Sequence, residues 1–164
     1  DRIYTLAGFP HDYPPEKVVS LPPLAGEESG ATGDTALIVG QPLVGNGVLT
    51  QADHDAICVQ IADWLKARGI ERVMYKAHPR DHAHEMRTPG ADLLEITEPL
   101  ESHMAAHPYQ AMIGVNSTAL YLARQIYGPE VPVVSFGNDK VHFKNPDQRE
   151  TAIRLMDSLG IERL

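Results

Sequence analysis

From residue 35 onward, short apolar runs alternate with longer stretches in which apolar residues recur at helical spacing. The apolar runs predict buried strands, and the helical spacing predicts amphipathic helices. Strands are predicted at 35–41, 70–77, 92–97, 110–115 and 131–137. Helices are predicted at 51–69, 99–107, 117–128 and 145–160, the third of them capped by Asn116 or Ser117.

The helix predicted at 51–69 has the clearest pattern. Its apolar residues fall on one face, and Gly69 follows as a C-terminal stop. The single cysteine, Cys58, lies within this pattern and is interpreted as a small core residue. One thiol excludes an internal disulfide and a metal site built from several thiolates. The predicted buried face consists of Ile57, Ile61, Trp64 and Leu65.

The order of the elements indicates an α/β fold. The strands are nearly continuous apolar runs, as expected when helices cover both faces of a parallel sheet. The segments WLKARGIERV and LMDSLGIERL both have the pattern of a helix end, a glycine and the start of a strand. They indicate two similar helix-to-strand corners. The sequence therefore predicts a Rossmann-like, doubly wound parallel sheet over residues 35–164.

Residues 1–34 have a different composition. Prolines are dense between residues 10 and 23 and exclude a long helix there. We expect an extended lead-in or interdomain connector with room for one short strand. The chain starts with Asp1 rather than Met, so we expect a processed protein or, more readily, a piece of a longer one.

Charge and hydropathy exclude several functions. The formal net charge of −8 disfavours general nucleic-acid binding, which needs clustered lysine and arginine. Any anion site must then be local. No apolar run approaches the ~18 residues that predict a membrane span, and no signal peptide is visible. A cytoplasmic protein is therefore expected.

Polar residues follow four of the predicted strands, and open α/β sheets bind ligands at the carboxyl ends of their strands. Ser117 and Thr118 stand where a helix begins, so their hydroxyls and the free N–H groups of that helix suit a phosphate. The alternative is that Ser117 only caps the helix. The four polar segments are 40–41, 76–81, 98–101 and 114–118.

His78 is the second candidate for phosphate contact. A histidine at a strand end can donate to a phosphate oxygen or protonate a leaving phosphate, and Pro79 restricts where its ring points. The alternative is a surface loop in which His78 caps backbone groups. His82 and His84 have too few further ligands nearby for a metal site to be favoured.

Glu98 and Glu101 supply carboxylates after the third strand. In dinucleotide folds such a carboxylate accepts from the ribose hydroxyls, although glutamate near a helix start is favourable in any case. Gln41 suits contact with a base or a sugar, or is simply a loop amide. Together these strand ends point to a nucleotide ligand.

Four segments in this order, LIVGQPL, YKAHPRD, EPLE and IGVNSTALYLA, resemble the C-terminal half of bacterial sialyltransferases. Within that class they most resemble the polysialyltransferase and lipooligosaccharide sialyltransferase group, and the resemblance covers about residues 35–136. His78-Pro79 matches the family's HP motif, and Ser117-Thr118 matches its Ser-Ser/Thr motif. The resemblance implies a GT-B glycosyltransferase with two Rossmann-like halves. This chain would be the half that binds CMP-sialic acid, for transfer to a glycan acceptor such as a capsule polysaccharide.

The resemblance also implies roles for single residues. His78 would act on the CMP phosphate as an acid or an electrostatic stabiliser, and Ser117-Thr118 would bind the same phosphate. Glu101 would hold the ribose hydroxyls. Gln41 and the backbone at Gly40 would lie toward the cytidine. No metal and no cofactor is implied.

One family motif is missing. The Asp/Glu-Asp/Glu-Gly triplet that supplies the general base does not precede the HP motif, because Glu27-Glu28 is followed by Ser29. We therefore expect a donor-binding domain that is inactive alone and lacks the acceptor site. Two other interpretations stay open: a UDP-sugar-dependent glycosyltransferase or epimerase-like domain, and a non-catalytic α/β module whose polar strand ends only cap helices.

Overall fold

The computed structural model describes residues 1–6, 11–21 and 33–164. In the first two ranges, strands β1 (Ile3–Leu6) and β2 (Val18–Leu21) pair in parallel, so this segment has two short strands where the sequence left room for one. The segment from Glu27 to Ser29 lies outside the described residues. The boundary between a connector and a domain at residue 35 stays a prediction.

Six further strands form one parallel sheet within residues 33–164. Each apolar run of the sequence contributes a strand, and the corner after the last helix contributes one more, as the repeated Gly-Ile-Glu-Arg segment indicated. The strands are β3 (Thr35–Val39), β4 (Arg72–Lys76), β5 (Asp92–Leu93), β6 (Ala111–Gly114), β7 (Val133–Ser135) and β8 (Glu162–Arg163).

The order of these strands across the sheet is β5-β4-β3-β6-β7-β8. The chain starts in the middle at β3, builds outward through β4 and β5, and then returns to add β6, β7 and β8 on the other side. This is the strand order of a doubly wound Rossmann-like fold, which confirms the predicted fold class. The reversal leaves a topological switch point between β3 and β6.

Helices α1 (Gln51–Ala67), α2 (Leu100–Ala106), α3 (Thr118–Tyr127) and α4 (Pro146–Ser158) connect the strands. Three of them begin at a residue whose side chain accepts a backbone N–H of the first turn. Gly69 ends the α1 corner with φ of 65°, a left-handed conformation that favours glycine. The three capping residues are Thr50, Ser117 and Asn145.

Residues of β3 alternate between two hydrophobic cores, one on each face of the sheet. Ala36 and Ile38 pack with α1, and the predicted apolar face of that helix is buried there. Leu37 and Val39 point the other way and pack with α2, α3 and α4. Because both faces of β3 are covered, its run of apolar residues is continuous rather than alternating. Cys58 lies beside this face of α1 and is half-buried rather than fully enclosed.

The third strand is shorter than the sequence predicted. β5 pairs with β4 through only Met74↔Asp92 and Tyr75↔Leu93, followed by one bond from Leu94 N–H to Tyr75 C=O at 2.9 Å. It is an edge strand, and both of its residues are exposed. After it the chain leaves the sheet toward α2. None of the described helices is long and apolar enough to cross a membrane.

Gly40 marks a close approach at the end of β3. Its N–H donates to the Lys76 carbonyl at 2.9 Å, which continues the β3–β4 pairing by one residue. The space that a Cβ would occupy is taken by the hydroxyl end of Tyr75, and Oδ2 of Asp81 lies 2.9 Å from the same point. Only a residue without a side chain fits here.

We expect Gly40→Ala to lower the free energy of unfolding by about 1–3 kcal/mol, because the added methyl group overpacks a buried position. Urea denaturation followed by circular dichroism measures this change. Gly45→Ala is the matched control: its Cβ would lie 3.2 Å from the carboxylate end of Glu85 and 4.0 Å from Pro42 Cβ, both side-chain contacts at the surface of the loop. Equal stability of the two variants would contradict the close-approach argument.

Candidate functional site

A cavity of about 350 Å³ lies at the carboxyl ends of β3, β4 and β6, at the switch point of the sheet. We call it the switch-point cavity. Four segments line it: 39–41, 76–79, 96–101 and 117–119. Open α/β sheets bind their ligands at this place. The structure brings all the predicted site residues to this one cavity: Gly40, Gln41, His78, Glu101, Ser117 and Thr118.

The loop after β4 is anchored by a buried hydrogen bond. Tyr75 donates its hydroxyl to Asp81 Oδ2, and the backbone N–H of Glu85 donates to Oδ1 of the same carboxylate at 3.0 Å. Asp81 is only 2% exposed, so these bonds replace its hydration. Burial, followed by the bond to Asp81, raises the pKa of Tyr75. The phenol therefore stays protonated and remains a donor.

His78 lies between the two anchor residues, and its ring nitrogens have different roles. The backbone N–H of Arg80 donates to Nδ1 at 3.1 Å, so Nδ1 is an acceptor and the ring proton lies on Nε2. The backbone contact proposed as an alternative role is therefore present, but it uses one nitrogen only. Because the half-buried ring lines the cavity, its Nε2–H is available to a ligand there.

Lys76 is a cavity residue that the sequence analysis placed at the strand end without giving it a role. It is the last residue of β4 and is half-buried. Its ammonium group donates to the Ala77 carbonyl at 3.3 Å and has further N–H donors to spare. The signal in the sequence was its position two residues before His78 at the end of an apolar run.

Ser117 serves both roles that the sequence left open for it. It is the N-cap of α3, with Oγ accepting from the Ala119 N–H at 3.4 Å, and it is buried against the cavity. As an acceptor it keeps its own O–H as a donor. Asn116 before it has φ of 45°, a left-handed conformation that asparagine tolerates better than most residues, and its N–H donates to Ser135 Oγ at 3.0 Å.

Two carboxylates reach the cavity from the start of α2. Glu101 is half-buried in the first turn, and its carboxylate makes no hydrogen bond to any residue in the described part of the chain. Glu98, just before the N-cap Pro99, contacts His103 Nδ1 at 3.0 Å. Its own backbone N–H, followed by His103, lowers the pKa of Glu98. Glu98 is therefore ionised at neutral pH.

The cavity thus combines opposite kinds of polar group. Lys76, His78 and the hydroxyl-bearing start of α3 attract an anion. Glu98 and Glu101 instead favour neutral N–H or O–H donors. A ligand that carries one anionic group and several hydrogen-bond donors fits both halves. In residues 1–6, 11–21 and 33–164, no group of three or more His, Cys, Asp or Glu side chains is placed to hold a metal ion.

We expect Tyr75→Phe to lower the free energy of unfolding by about 1–3 kcal/mol, because the buried Asp81 carboxylate loses a donor while keeping its burial. Urea denaturation gives this difference. Tyr4→Phe is the control, since the Tyr4 side chain is exposed and should change stability by less than about 0.5 kcal/mol. A Tyr75→Phe variant as stable as the Tyr4 variant would show that the bond does not anchor the loop.

Comparison with known proteins identifies a family. The model of a family described as alpha-2,8-polysialyltransferase matches residues 9–134, which is more than half of the chain. No curated protein matches. Among solved structures, the FMN-dependent cysteine decarboxylase TvaF from thioviridamide biosynthesis is 17% identical, with 79% of this chain and 87% of that chain covered. Its TM-score of 0.40 is too low to bear on function.

Proposed function

Because the chain belongs to the alpha-2,8-polysialyltransferase family, we propose that its switch-point cavity binds CMP-sialic acid, the donor for sialyl transfer. Membership of this family indicates sialyltransferase activity. The observation that carries the proposal is the convergence of Lys76, His78 and Ser117 on one cavity at the switch point. Lys76 and His78 come from the end of β4 and Ser117 from the start of α3, so two segments that are distant in the sequence are placed to share one anion.

The phosphate of the donor is assigned to this cationic side of the cavity. Transfer breaks the bond between the sialic acid anomeric carbon and a phosphate oxygen, and the departing CMP takes the electron pair. Negative charge therefore grows on the phosphate in the transition state, and donors already aimed at it lower the barrier. The Lys76 ammonium, the Ser117 and Thr118 hydroxyls and the N–H groups at the start of α3 are such donors.

His78 is proposed to donate to the phosphate through Nε2–H. Of the two roles implied by the family, acid or electrostatic stabiliser, the contact between Arg80 N–H and Nδ1 supports the second. A ring held as an acceptor at Nδ1 carries one proton, on Nε2, and contributes it as a hydrogen bond. Pro79 and the Tyr75–Asp81 bond limit the movement of this loop, so the donor is aimed before the ligand arrives.

The nucleoside is proposed to contact the cavity residues that do not face the phosphate. Glu101 has a free carboxylate whose two oxygens suit the two ribose hydroxyls. Gln41 and the backbone at Gly40 are proposed to face the cytidine. Ile96 and Leu100 add apolar surface to the same cavity. A cavity of about 350 Å³ is of the size that small-molecule sites commonly have.

The acceptor site and the general base are proposed to lie on a second Rossmann-like half, as in a GT-B enzyme. The glycan acceptor and the general base would approach the cavity from there. Of the two glutamates that line the cavity, Glu101 has a proposed contact with the ribose and Glu98 is bonded to His103, and the sequence contains no acidic pair followed by glycine. A cytoplasmic location stays a prediction.

We expect CMP to bind this protein and two single substitutions to weaken binding by roughly tenfold or more, the loss of one hydrogen bond to a charged group. The first is His78→Asn, which keeps an acceptor for the Arg80 N–H but removes the donor at the Nε2 position. The second is Thr118→Val, which removes an exposed hydroxyl and spares the Ser117 cap. Isothermal titration calorimetry measures both affinities.

Two controls sharpen this titration. Arg80→Ala removes a cation from the same loop that does not line the cavity, so CMP affinity should change little. His78→Gln keeps a donor near the Nε2 position and should retain more affinity than His78→Asn. UDP is titrated in parallel. Tighter binding of UDP than of CMP would favour a UDP-sugar enzyme, and binding of neither would favour a non-catalytic module.

We expect the 164-residue chain to bind CMP-sialic acid without transferring sialic acid to a glycan acceptor, because an activating base is missing from the proposed site. Mass spectrometry of an oligosialic acid acceptor, incubated with the donor and the chain, measures transfer. A full-length sialyltransferase is the positive control. Transfer above the level without protein would contradict the expectation and would show that these residues suffice for catalysis.

A further inference from the structure

Glu98 is held in the wall of the switch-point cavity by a hydrogen-bonded chain that runs into the protein. His103 Nδ1 lies 3.0 Å from the Glu98 carboxylate, and His103 Nε2 lies 2.9 Å from the Tyr109 hydroxyl. His103 and Tyr109 are buried, whereas the Glu98 side chain is 44% exposed. The chain therefore leads from the core to a carboxylate that faces the cavity.

The protons of this chain follow from its chemistry. Burial raises the pKa of Tyr109, so its hydroxyl stays protonated and can donate to His103 Nε2. A neutral imidazole that accepts at Nε2 carries its proton on Nδ1 and donates it to the Glu98 carboxylate. The ring of His107 stacks on His103 with centroids 4.1 Å apart, and its Nδ1 lies 2.9 Å from the His103 carbonyl. Neither ring nitrogen of His103 is left to contact a ligand.

We propose that Glu98 is a second carboxylate of the donor site, that it accepts a hydrogen bond from a neutral donor group of the nucleoside, and that His103 is its positioning residue. This inference rests on the proposed function and deepens it. A glutamate at the cavity edge, exposed as this one is, would otherwise sample several rotamers. The bond from buried His103 reduces that freedom and keeps one carboxylate orientation at the wall.

The chemistry of the nucleotide limits what Glu98 can bind. Two carboxylates repel the phosphate, so Glu98 and Glu101 must both face the uncharged part of the ligand. The N–H and O–H groups there are the exocyclic amine of cytosine and the ribose hydroxyls. A carboxylate accepts readily from the cytosine amine, whereas the uracil O4 at the same place is an acceptor and is repelled. Glu98 therefore contributes to nucleotide selectivity, through the base or through the sugar.

The experiment compares wild type with Glu98→Gln, which keeps the side-chain size and replaces one acceptor oxygen by a donor. Affinities for CMP, 2′-deoxy-CMP and UMP are measured by isothermal titration calorimetry. We expect the substitution to weaken CMP binding by roughly tenfold. If the cytosine amine is the partner, the preference for CMP over UMP falls in the variant. If a ribose hydroxyl is the partner, the preference for CMP over 2′-deoxy-CMP falls instead.

The positioning role is tested with two substitutions of His103. His103→Asn can still donate from the Nδ1 position and should retain the wild-type selectivity. His103→Gln reaches only the Nε2 position and should lose the same selectivity that Glu98→Gln loses. Thermal unfolding midpoints of all variants separate a loss of selectivity from a loss of fold. Glu130→Gln, an exposed change at the amino end of β7 on the opposite edge of the sheet, is the control.

The outcomes distinguish this inference from the function on which it rests. If wild type does not bind CMP, the proposed function is overturned. If wild type binds CMP but Glu98→Gln keeps its affinity and both preferences, the role of Glu98 is overturned and the donor site stands. If Glu98→Gln loses a preference that both His103 variants keep, Glu98 binds the nucleoside and the positioning role of His103 is overturned.

Discussion

The hydrogen bond from Tyr75 to Asp81 is the constraint on which this site depends. It joins Tyr75, near the end of strand β4, to Asp81 in the loop that follows, so the intervening His78 is held from both sides. The same Tyr75 hydroxyl fills the space beside Gly40, which lets β3 and β4 stay paired up to the edge of the cavity. The bond is strong because it is buried, where water does not compete for the carboxylate.

A second set of contacts ties the neighbouring loops together. The Glu85 carboxylate accepts the backbone N–H groups of Val44 and Gly45, at 2.7 and 3.0 Å, and the Glu85 carbonyl lies 2.7 Å from His54 Nε2. The loops after β3 and β4 and the first turns of α1 thus form one hydrogen-bonded unit. These hydrogen bonds limit the movement of both loops. Residues 39–41 and 76–79, which line the cavity beside them, are therefore held in place before a ligand binds.

The strand ends could be predicted from the sequence because the carboxyl ends of parallel strands lie at one edge of the sheet, and the polar residues there are easily distinguished from the apolar runs before them.

Contacts between distant side chains could not be predicted from the sequence. The sequence pattern places Tyr75 in an apolar strand and Asp81 among the charged residues of a loop. Their spacing does not indicate that the two side chains form a buried hydrogen bond. The contact between Glu98 and His103 could not be predicted either, because Glu98 lies before α2 and the two residues are not at the spacing that places side chains on one face of a helix. The apolar residues within 92–97 likewise predicted a longer strand, because the sequence does not reveal where an edge strand stops pairing.

Each kind of chemical group in the switch-point cavity comes from a different segment of the chain. Cationic and imidazole donors follow β4, hydroxyls open α3, and carboxylates precede and begin α2. Because the framework beneath them is a buried sheet, one of these loops can change without rebuilding the others. A related protein with this architecture could therefore keep the proposed phosphate-binding corner, exchange the carboxylate loop, and acquire a different nucleotide preference through a few neighbouring substitutions.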